Sequence, residues 1–167
     1  MVIRSPDGWA EVHDYGWERI MAACVEASQS YTKVGLPADG KTTGRHDMPT
    51  LIEIGMANEL GVEDQNLPSR PFMRQAFDKN EGQIIFLQQD GWDNVVLGQE
   101  TVRGALRRIG SEVESMIKEE IMGQDFKDLS EVTKEHKTLN KDMILIETGQ
   151  LLDSIQHKEY RGGVEHG

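Results

Sequence analysis

Residues 101–122, TVRGALRRIGSEVESMIKEEIM, decide the fold. Val102, Leu106, Ile109, Val113, Met116, Ile117 and Ile121 recur at steps of three and four, while Arg103, Arg107, Glu112, Glu114, Lys118 and Glu119 take the other face. That period predicts an amphipathic helix of about five or six turns, ended by Gly123. Gly104 and Gly110 inside it each cost on the order of 1 kcal/mol against alanine. They fit either the close approach of another backbone or the tolerance of a poor helix former.

Upstream, Ile84 to Leu87 is a short apolar run that fits helix or strand, and Asp90-Gly91-Trp92-Asp93 breaks it. Before it, a helix is predicted from Phe72 to about Asn80, with Pro71 near its first turn and Ser69 as its candidate cap. Residues 62–71 form a loop. Thr50 and Glu53 make a capping box for a helix that runs to Leu60 and stops at Gly61, an αL-compatible C′ position. Residues 38–48 are a polar, glycine-containing loop. Tyr31 to Pro37 read as a β-branched and aromatic strand halted by a proline that cannot donate to a ladder. Trp17, Ile20, Met21, Cys24 and Ser28 mark one face of a helix, with Asp14 as its N-cap.

Downstream, residues 124–142 are rich in charge with few apolar anchors, the pattern of a solvated connection that orders against a partner. The chain recovers at residues 143–155 with a turn of helix after Thr148, leading into a second strand from Ile155 to Tyr160. The predicted organisation is an irregular arm at 1–13, a single α+β domain at 14–160 and a frayed tail at 161–167. In that domain a small antiparallel or mixed sheet packs against helices dominated by the one at about 101–122. Its short edges, Thr32–Leu36 and Ile155–Tyr160, pair with each other or with a neighbouring subunit.

A chain of 167 residues suits one domain. At that size roughly 68–70% of the unfolded surface is buried, enough for a core without staples. Apolar residues make up 37% and charged residues 28%, a lean globular composition with room for solvated segments. Acids outnumber bases 29 to 18, a net charge of −11 that repels phosphate backbones and anionic membranes. No membrane association and no specific nucleic-acid binding are expected. Cys24 is the single cysteine, so neither an intramolecular disulfide nor a Cys-based zinc site can form. On its apolar stripe it reads as a small buried hydrophobe. No run approaches the ~18–20 apolar residues of a membrane span, and the start lacks the apolar region of a signal peptide. A soluble intracellular protein is expected.

His13, His46, His136, His157 and His166 are scattered, none at metal-ligand spacing from another His or Cys. His46-Asp47 could be half of a metal or acid/base pair but has no third ligand in sequence, and His13-Asp14 is explained by a helix start. There is no Gly-x-Ser-x-Gly elbow, no phosphate loop and no dinucleotide fingerprint. Asp39 to Gly44 resembles a phosphate loop only superficially, lacking the upstream glycine. Glu112, Glu119 and Glu120 belong to the polar face of the long helix. No cofactor, no metal and no enzymatic activity are expected; a small metal-dependent hydrolase using His46 and Asp47 is a distant alternative.

Two further segments stand out. Asn58-Glu59-Leu60-Gly61 leads to Leu67-Pro68-Ser69-Arg70-Pro71-Phe72-Met73-Arg74 and Ala76-Phe77. Leu145-Ile146-Glu147-Thr148-Gly149-Gln150-Leu151 with Ser154-Ile155 follows near the C-terminus. In this order, with a long amphipathic helix between them, they resemble the neck proteins of long-tailed bacteriophages: the tail-completion, head–tail joining or virion-morphogenesis family. Its members carry Ala-x-x-x-Glu-Phe-Gly, then Ile-Pro-x-Arg-Pro-Phe-Leu-Arg-x-Ala-Phe, and later Leu-Ile-Asp-Thr-Gly-x-Leu-x-x-Ser-Ile. The resemblance spans residues 30–160 or so; Leu60 stands for the usual Phe, Glu147 for Asp, and the arm with Trp9 has no counterpart.

The resemblance implies a structural virion protein that forms a hexameric ring of identical subunits, completing the tail or joining it to the head. Implied partners are the chain itself, the head-side connector and the tail-terminator or tail-tube proteins. The implied location is the virion neck, after assembly in the host cytoplasm. A tail-terminator ring capping the tube is the alternative station. The motif residues are then candidate interface residues: Glu59, Leu60, Gly61, Pro68, Arg70, Pro71, Phe72, Arg74, Thr148, Gly149 and Leu151. Arg70 and Arg74 flanking Phe72 suit an interface, where arginine and aromatic anchors are enriched. Read locally, Phe72 and Phe77 are core, Arg70 pairs with a nearby carboxylate, Thr148 caps its turn and Gly149 supplies backbone freedom. If genome DNA passes through the ring, a net-negative lining limits sticking.

Overall fold

The computed structural model describes residues 2–5, 8–11, 16–38, 50–65, 67–123, 149–162 and 164–165. Its elements are β1 (Val2–Ser5), β2 (Gly8–Glu11), α1 (Trp17–Ser28), β3 (Ser30–Gly35), α2 (Leu51–Leu60), a 3-10 turn (Glu63–Gln65), α3 (Phe72–Leu97), α4 (Val102–Gly123), α5 (Gln150–Ser154), β4 (Gln156–Arg161) and β5 (Val164–Glu165). The expected connection at 124–142 and the loop at 39–48 lie outside the described residues.

The helix predicted at 101–122 is α4, within one residue at each end. It begins where Thr101 Oγ1 accepts the Gly104 N–H at 3.0 Å, satisfying one of the first-turn donors. Its apolar stripe is the centre of the core: Ile109, Val113, Met116, Ile117 and Ile121 are buried together with Phe72, Ala76 and Ile155. The sheet crosses α4 at Gly110. A Cβ on Gly110 would sit 2.8 Å from Thr32 Oγ1 and 3.0 Å from His157 Cβ, so close approach explains this glycine. Gly104 is different; the atoms nearest its missing Cβ belong to the neighbouring Glu100 and Thr101 side chains, at 3.2 Å.

The predicted break at 90–93 does not occur. α3 is one helix of 26 residues that runs through Gly82 and Gly91. Packing overrides propensity here: Gly91 lies against α4, where a Cβ would come within 3.3 Å of Ala105 Cβ, and Val95 is buried beyond it. The Asp90 carboxylate, which read as a breaker, receives Arg108 Nη2 of α4 at 2.9 Å. Arg108 also meets Glu100 at 3.1 Å. The hydrogen bonds that Arg108 donates to Glu100, against the cost of burial, and then the Asp90 carboxylate raise the Arg108 guanidinium above its ordinary value. α3 ends at Gly98, φ 77°, with the αL residue typical of a helix C-terminus.

β3 and β4 pair with each other, antiparallel, from Ser30↔Arg161 to Gly35↔Gln156. β5 pairs on the other side of β4. The fold is α+β, with helices covering one face of this small sheet. Three terminal expectations are corrected. The arm at 1–13 holds an antiparallel hairpin, Val2↔Glu11 to Ser5↔Gly8, whose four-residue strands are too short to show a readable period. The tail at 161–167 starts inside β4, turns at Gly162 (φ 58°) and returns as β5. Helix α1 is capped at Gly16 (φ 90°) with no side-chain cap, so Asp14, outside the described residues, does not hold the N-cap position.

The α1 stripe is only half covered: Ile20 and Cys24 are half-buried, while Trp17 and Met21 are exposed. Cys24 is therefore not the buried hydrophobe expected. Arg19 ties α1 to the core by donating to the Val95 and Val96 carbonyls at 3.0 and 2.6 Å, neutralising the C-terminal end of α3.

The two classes of helix glycine give opposite expectations. Nothing lies within 4 Å of a Cβ added at Gly82. Gly82→Ala therefore raises stability by about 1 kcal/mol. Gly110→Ala forces the sheet off α4 and lowers it by about 1–3 kcal/mol despite its better helix propensity. Urea unfolding of the two variants beside the parent chain reads both signs.

Candidate functional site

The first motif builds a clip between α2 and α3. The Thr50–Glu53 capping box is present: Thr50 Oγ1 accepts the Glu53 N–H at 3.1 Å and the Glu53 carboxylate accepts the Thr50 N–H at 2.7 Å. The backbone and then the side chain of Thr50 hold the Glu53 carboxyl below its ordinary value. α2 stops at Gly61, but not in the expected αL conformation. Its φ of 77° with ψ of 162° turns the chain sharply, and a Cβ there would lie 2.8 Å from the Ser69 nitrogen. Val62 and Leu67 then exchange backbone hydrogen bonds at 2.9 and 3.0 Å, closing the loop.

The returning strand is sewn to the end of α2. Arg70 N–H donates to the Asn58 carbonyl at 2.6 Å, Arg70 Nη1 donates to Asn58 Oδ1 at 3.2 Å, and Ser69 Oγ donates to the Glu59 carbonyl at 2.9 Å. Pro71 occupies the N-cap position of α3 and offers no side-chain cap; Ser69, the expected cap, is engaged with Glu59. The cap comes from α2 instead. Both oxygens of Glu59 accept first-turn N–H groups, from Met73 and Arg74, each at 3.0 Å. A carboxylate there also complements the positive end of the helix dipole.

The second motif completes the same corner. Gly149 (φ 74°) is the N-cap of α5, and its carbonyl accepts the Asp153 N–H at 2.9 Å. The cap position expected for Thr148 therefore belongs to Gly149, and Thr148 itself lies outside the described residues. Leu151 is buried against α2: a Cβ on Gly55 would touch Leu151 Cδ1 at 3.6 Å and collide with Leu36 Cδ1. Ser154 and Ile155 are buried next to it.

The structure thus brings Glu59, Gly61, Pro68, Arg70, Pro71, Phe72, Gly149 and Leu151 into one corner of the fold, mostly as structural parts. Phe72 is fully buried, as the core reading expects; Phe77 is 44% exposed, against it. Leu60 and Arg74 are on the surface. Arg70 is 6% exposed and its partner is the Asn58 amide rather than a carboxylate; Nε has no hydrogen bond. Burial lowers its pKa from the ordinary arginine value.

Sequence reasoning missed a second cluster, on the sheet side of α4. Glu114 was read as part of a solvated face, but its Oε2 meets His157 Nδ1 at 2.6 Å and accepts the His157 N–H at 3.1 Å, while Oε1 pairs with Lys118. Glu159, also buried, faces His157 Nε2 at 3.8 Å and Arg107 Nε at 3.9 Å. Glu120 is likewise buried, paired with Lys79 at 2.7 Å, whereas Glu112 and Glu119 are exposed as expected. No local signal marked it: Glu114 lies one turn beyond Gly110, and only the seating of the sheet there gives that spacing a meaning. The arrangement pins β4 to α4. Burial pushes the Glu114 carboxyl up, but Lys118 and His157 outweigh it and hold it below its ordinary value.

Among the described residues no group of three or more His, Cys, Asp and Glu side chains could hold a metal ion. His46 and Asp47 lie outside them. No helix of the described residues is long and apolar enough to cross a membrane.

Removing the carboxylate in Glu59→Ala leaves two first-turn N–H groups of α3 without their acceptor and costs about 1–2 kcal/mol, read from urea or thermal unfolding. Because Glu114 is lowered in the folded state, it stabilises the fold above its unfolded pKa near 4.5, and that contribution fades as pH falls through the lower folded value. Glu114→Gln costs about 1–3 kcal/mol at neutral pH, and the difference from the parent narrows in thermal scans as the carboxylate protonates in acid. The chain matches no family model, no curated protein and no solved structure.

Proposed function

We propose that this chain is a structural component of the neck of a long-tailed bacteriophage, completing the tail or joining it to the head as a ring of identical subunits. The observation that carries the reading is the meeting of the two motif segments. Although far apart in sequence, α2 and α5 touch at Gly55 and Leu151, and the end of the same α2 caps α3 through Glu59. The residues behind the resemblance are thus a joined set of parts: a capping carboxylate, a tight glycine turn, a buried arginine and a positive-φ cap. A chain needing all of them would carry both motifs in this order.

A second feature supports an assembly role. Ile54, Met56 and Leu60 on α2 and Phe77, Ile85 and Phe86 on α3 are exposed large apolar side chains. Exposed apolar side chains of this kind are what contacts between protein chains cover. A neck component acts by presenting such surfaces.

Light scattering coupled to size exclusion, with and without purified phage tails, tests the reading. The expected result is a ring, or a monomer that co-elutes with tails and appears as a ring at their head-proximal end in negative stain. A chain that stays monomeric and ignores both tails and heads across several salt concentrations overturns it.

A further inference from the structure

The described residues hold two separate sheets, β1–β2 and β3–β4–β5, and both have open edges. Among the described strands β3 pairs only with β4, in unbroken register from Ser30↔Arg161 to Gly35↔Gln156. Its other side presents the outward N–H and C=O groups of a six-residue strand. No backbone hydrogen bond from another described element closes that side, and none of the β3 residues is buried. The register sets Tyr31 opposite Tyr160 and Lys33 opposite Lys158. Lys33, the one charged side chain of β3, lies 5.5 and 5.1 Å from the centroids of the two stacked tyrosine rings, on the face of the sheet rather than along its edge. A regular, open strand of this kind is a template for a further strand.

The hairpin is the element short of a neighbour. Its two four-residue strands pair only with each other, Val2↔Glu11 to Ser5↔Gly8. A lone two-stranded hairpin is marginal in water and becomes stable when a further strand or a helix joins it. Its tether decides which edge it can reach. α1 and β3 both run in the direction of α4. Arg19 bonds Val95 and Val96 just ahead of α4, Ser30 lines a hollow with Arg103 and Leu106, and Thr32 meets Gly110. Gly35 then meets Met73, at the end of α3 where Lys79 pairs with Glu120. Gly16, at the root of the hairpin, and Ser30, at the start of β3, are therefore separated by the 12 residues of α1, about 18 Å, and β3 continues away from Gly16. From Glu11 to Gly16 is five residues, which span at most about 18 Å fully extended. A tether drawn straight along α1 would bring Glu11 only level with Ser30. With the sideways step onto the edge still to make, the hairpin cannot lie along β3 of its own chain.

We infer that the β1–β2 hairpin of one copy of this chain pairs through its backbone along the open β3 edge of a second copy, extending that sheet from three strands to five. Tether and backbone select this occupant. The hairpin needs a neighbour, its own edge is out of reach, and every other copy offers the same open edge. Exchange of an element between identical chains is a low-cost route to assembly. The donated arm and the accepting edge are different parts of the chain, so the contact is head-to-tail and closes into a ring or continues as a filament. The inference rests on the ring reading above and names its contact.

The test uses the full chain in a C24S background, so that introduced thiols are the only ones. One chain carries I3C, R4C, W9C or A10C, which sample both faces of both hairpin strands, and a second carries K33C. A short bifunctional thiol reagent is added to the mixture, at high protein concentration and on purified tails. The expected product is a link between the two different chains from at least one hairpin position, several-fold above a control that pairs the same chain with E119C on the exposed face of α4. A chain carrying both cysteines gives a ladder of linked copies. In a second measurement I3P/A10P removes the hairpin pairing, circular dichroism shows that the helices remain, and sedimentation velocity finds association, alone or on tails, weakened at least tenfold. A link confined to one chain, no link above the control, or association of I3P/A10P equal to the parent overturns the contact. Tail binding without any link between copies removes this contact and keeps the neck reading; links between copies without any tail or head binding keep the contact and remove the neck reading.

Discussion

The missing side chain at Gly110 is the constraint on which the rest of the arrangement depends. With no Cβ there, Thr32 and His157 descend onto the α4 backbone and the sheet comes within reach of Glu114. The carboxylate then takes both the backbone N–H and the ring of His157, which pins β4 along the helix. Because β3 pairs residue by residue with β4, that anchor also sets where β3 lies. The tyrosine and lysine pairs on the outer face follow from the same register, since a slip of one residue would turn them inward. One glycine on a helix thus determines what the opposite side of the sheet presents.

The second organising device is the use of one helix end to start another. α2 ends at Gly61, and the loop that follows is too short to carry the chain far. Its return is held by Asn58 and Glu59, the last polar residues of α2, and the Glu59 carboxylate does the work that a serine or aspartate at position 71 would otherwise do. This frees the N-cap position for Pro71, which has no N–H to leave unsatisfied. Arg70 is drawn into the interior by the same geometry, with an amide rather than a carboxylate for company.

What the sequence made legible follows from what is local. The α4 period, the Thr50–Glu53 box, the stop at Gly61 and the β3 and β4 strands of the main sheet depend on contacts within a few residues or on a stripe that any core would cover. Their boundaries were recovered to within two residues. The length of α3 was not legible, because Gly91 and Asp90 are poor helix residues whose worth lies on α4, at Ala105 and Arg108. The motif corner was legible as a set of residues but not in its roles. Nothing in the order of residues says that Glu59 reaches forward to Met73, that Asn58 satisfies Arg70, or that Phe77 turns outward while Phe72 turns in. The Glu114–His157 pair was hidden for the same reason: each partner sits in a charged stretch that is indistinguishable from a solvated face until the sheet is laid on the helix.

Net charge gives a last link between sequence and fold. Several acids of this chain are spent internally, since Glu59, Glu114, Glu120 and Glu159 are engaged by backbone donors or cations. The remaining acids, exposed along α3 and elsewhere, repel a second copy at long range. These internal pairings act together with the seating of the sheet on α4 at Gly110 to hold the fold in one arrangement.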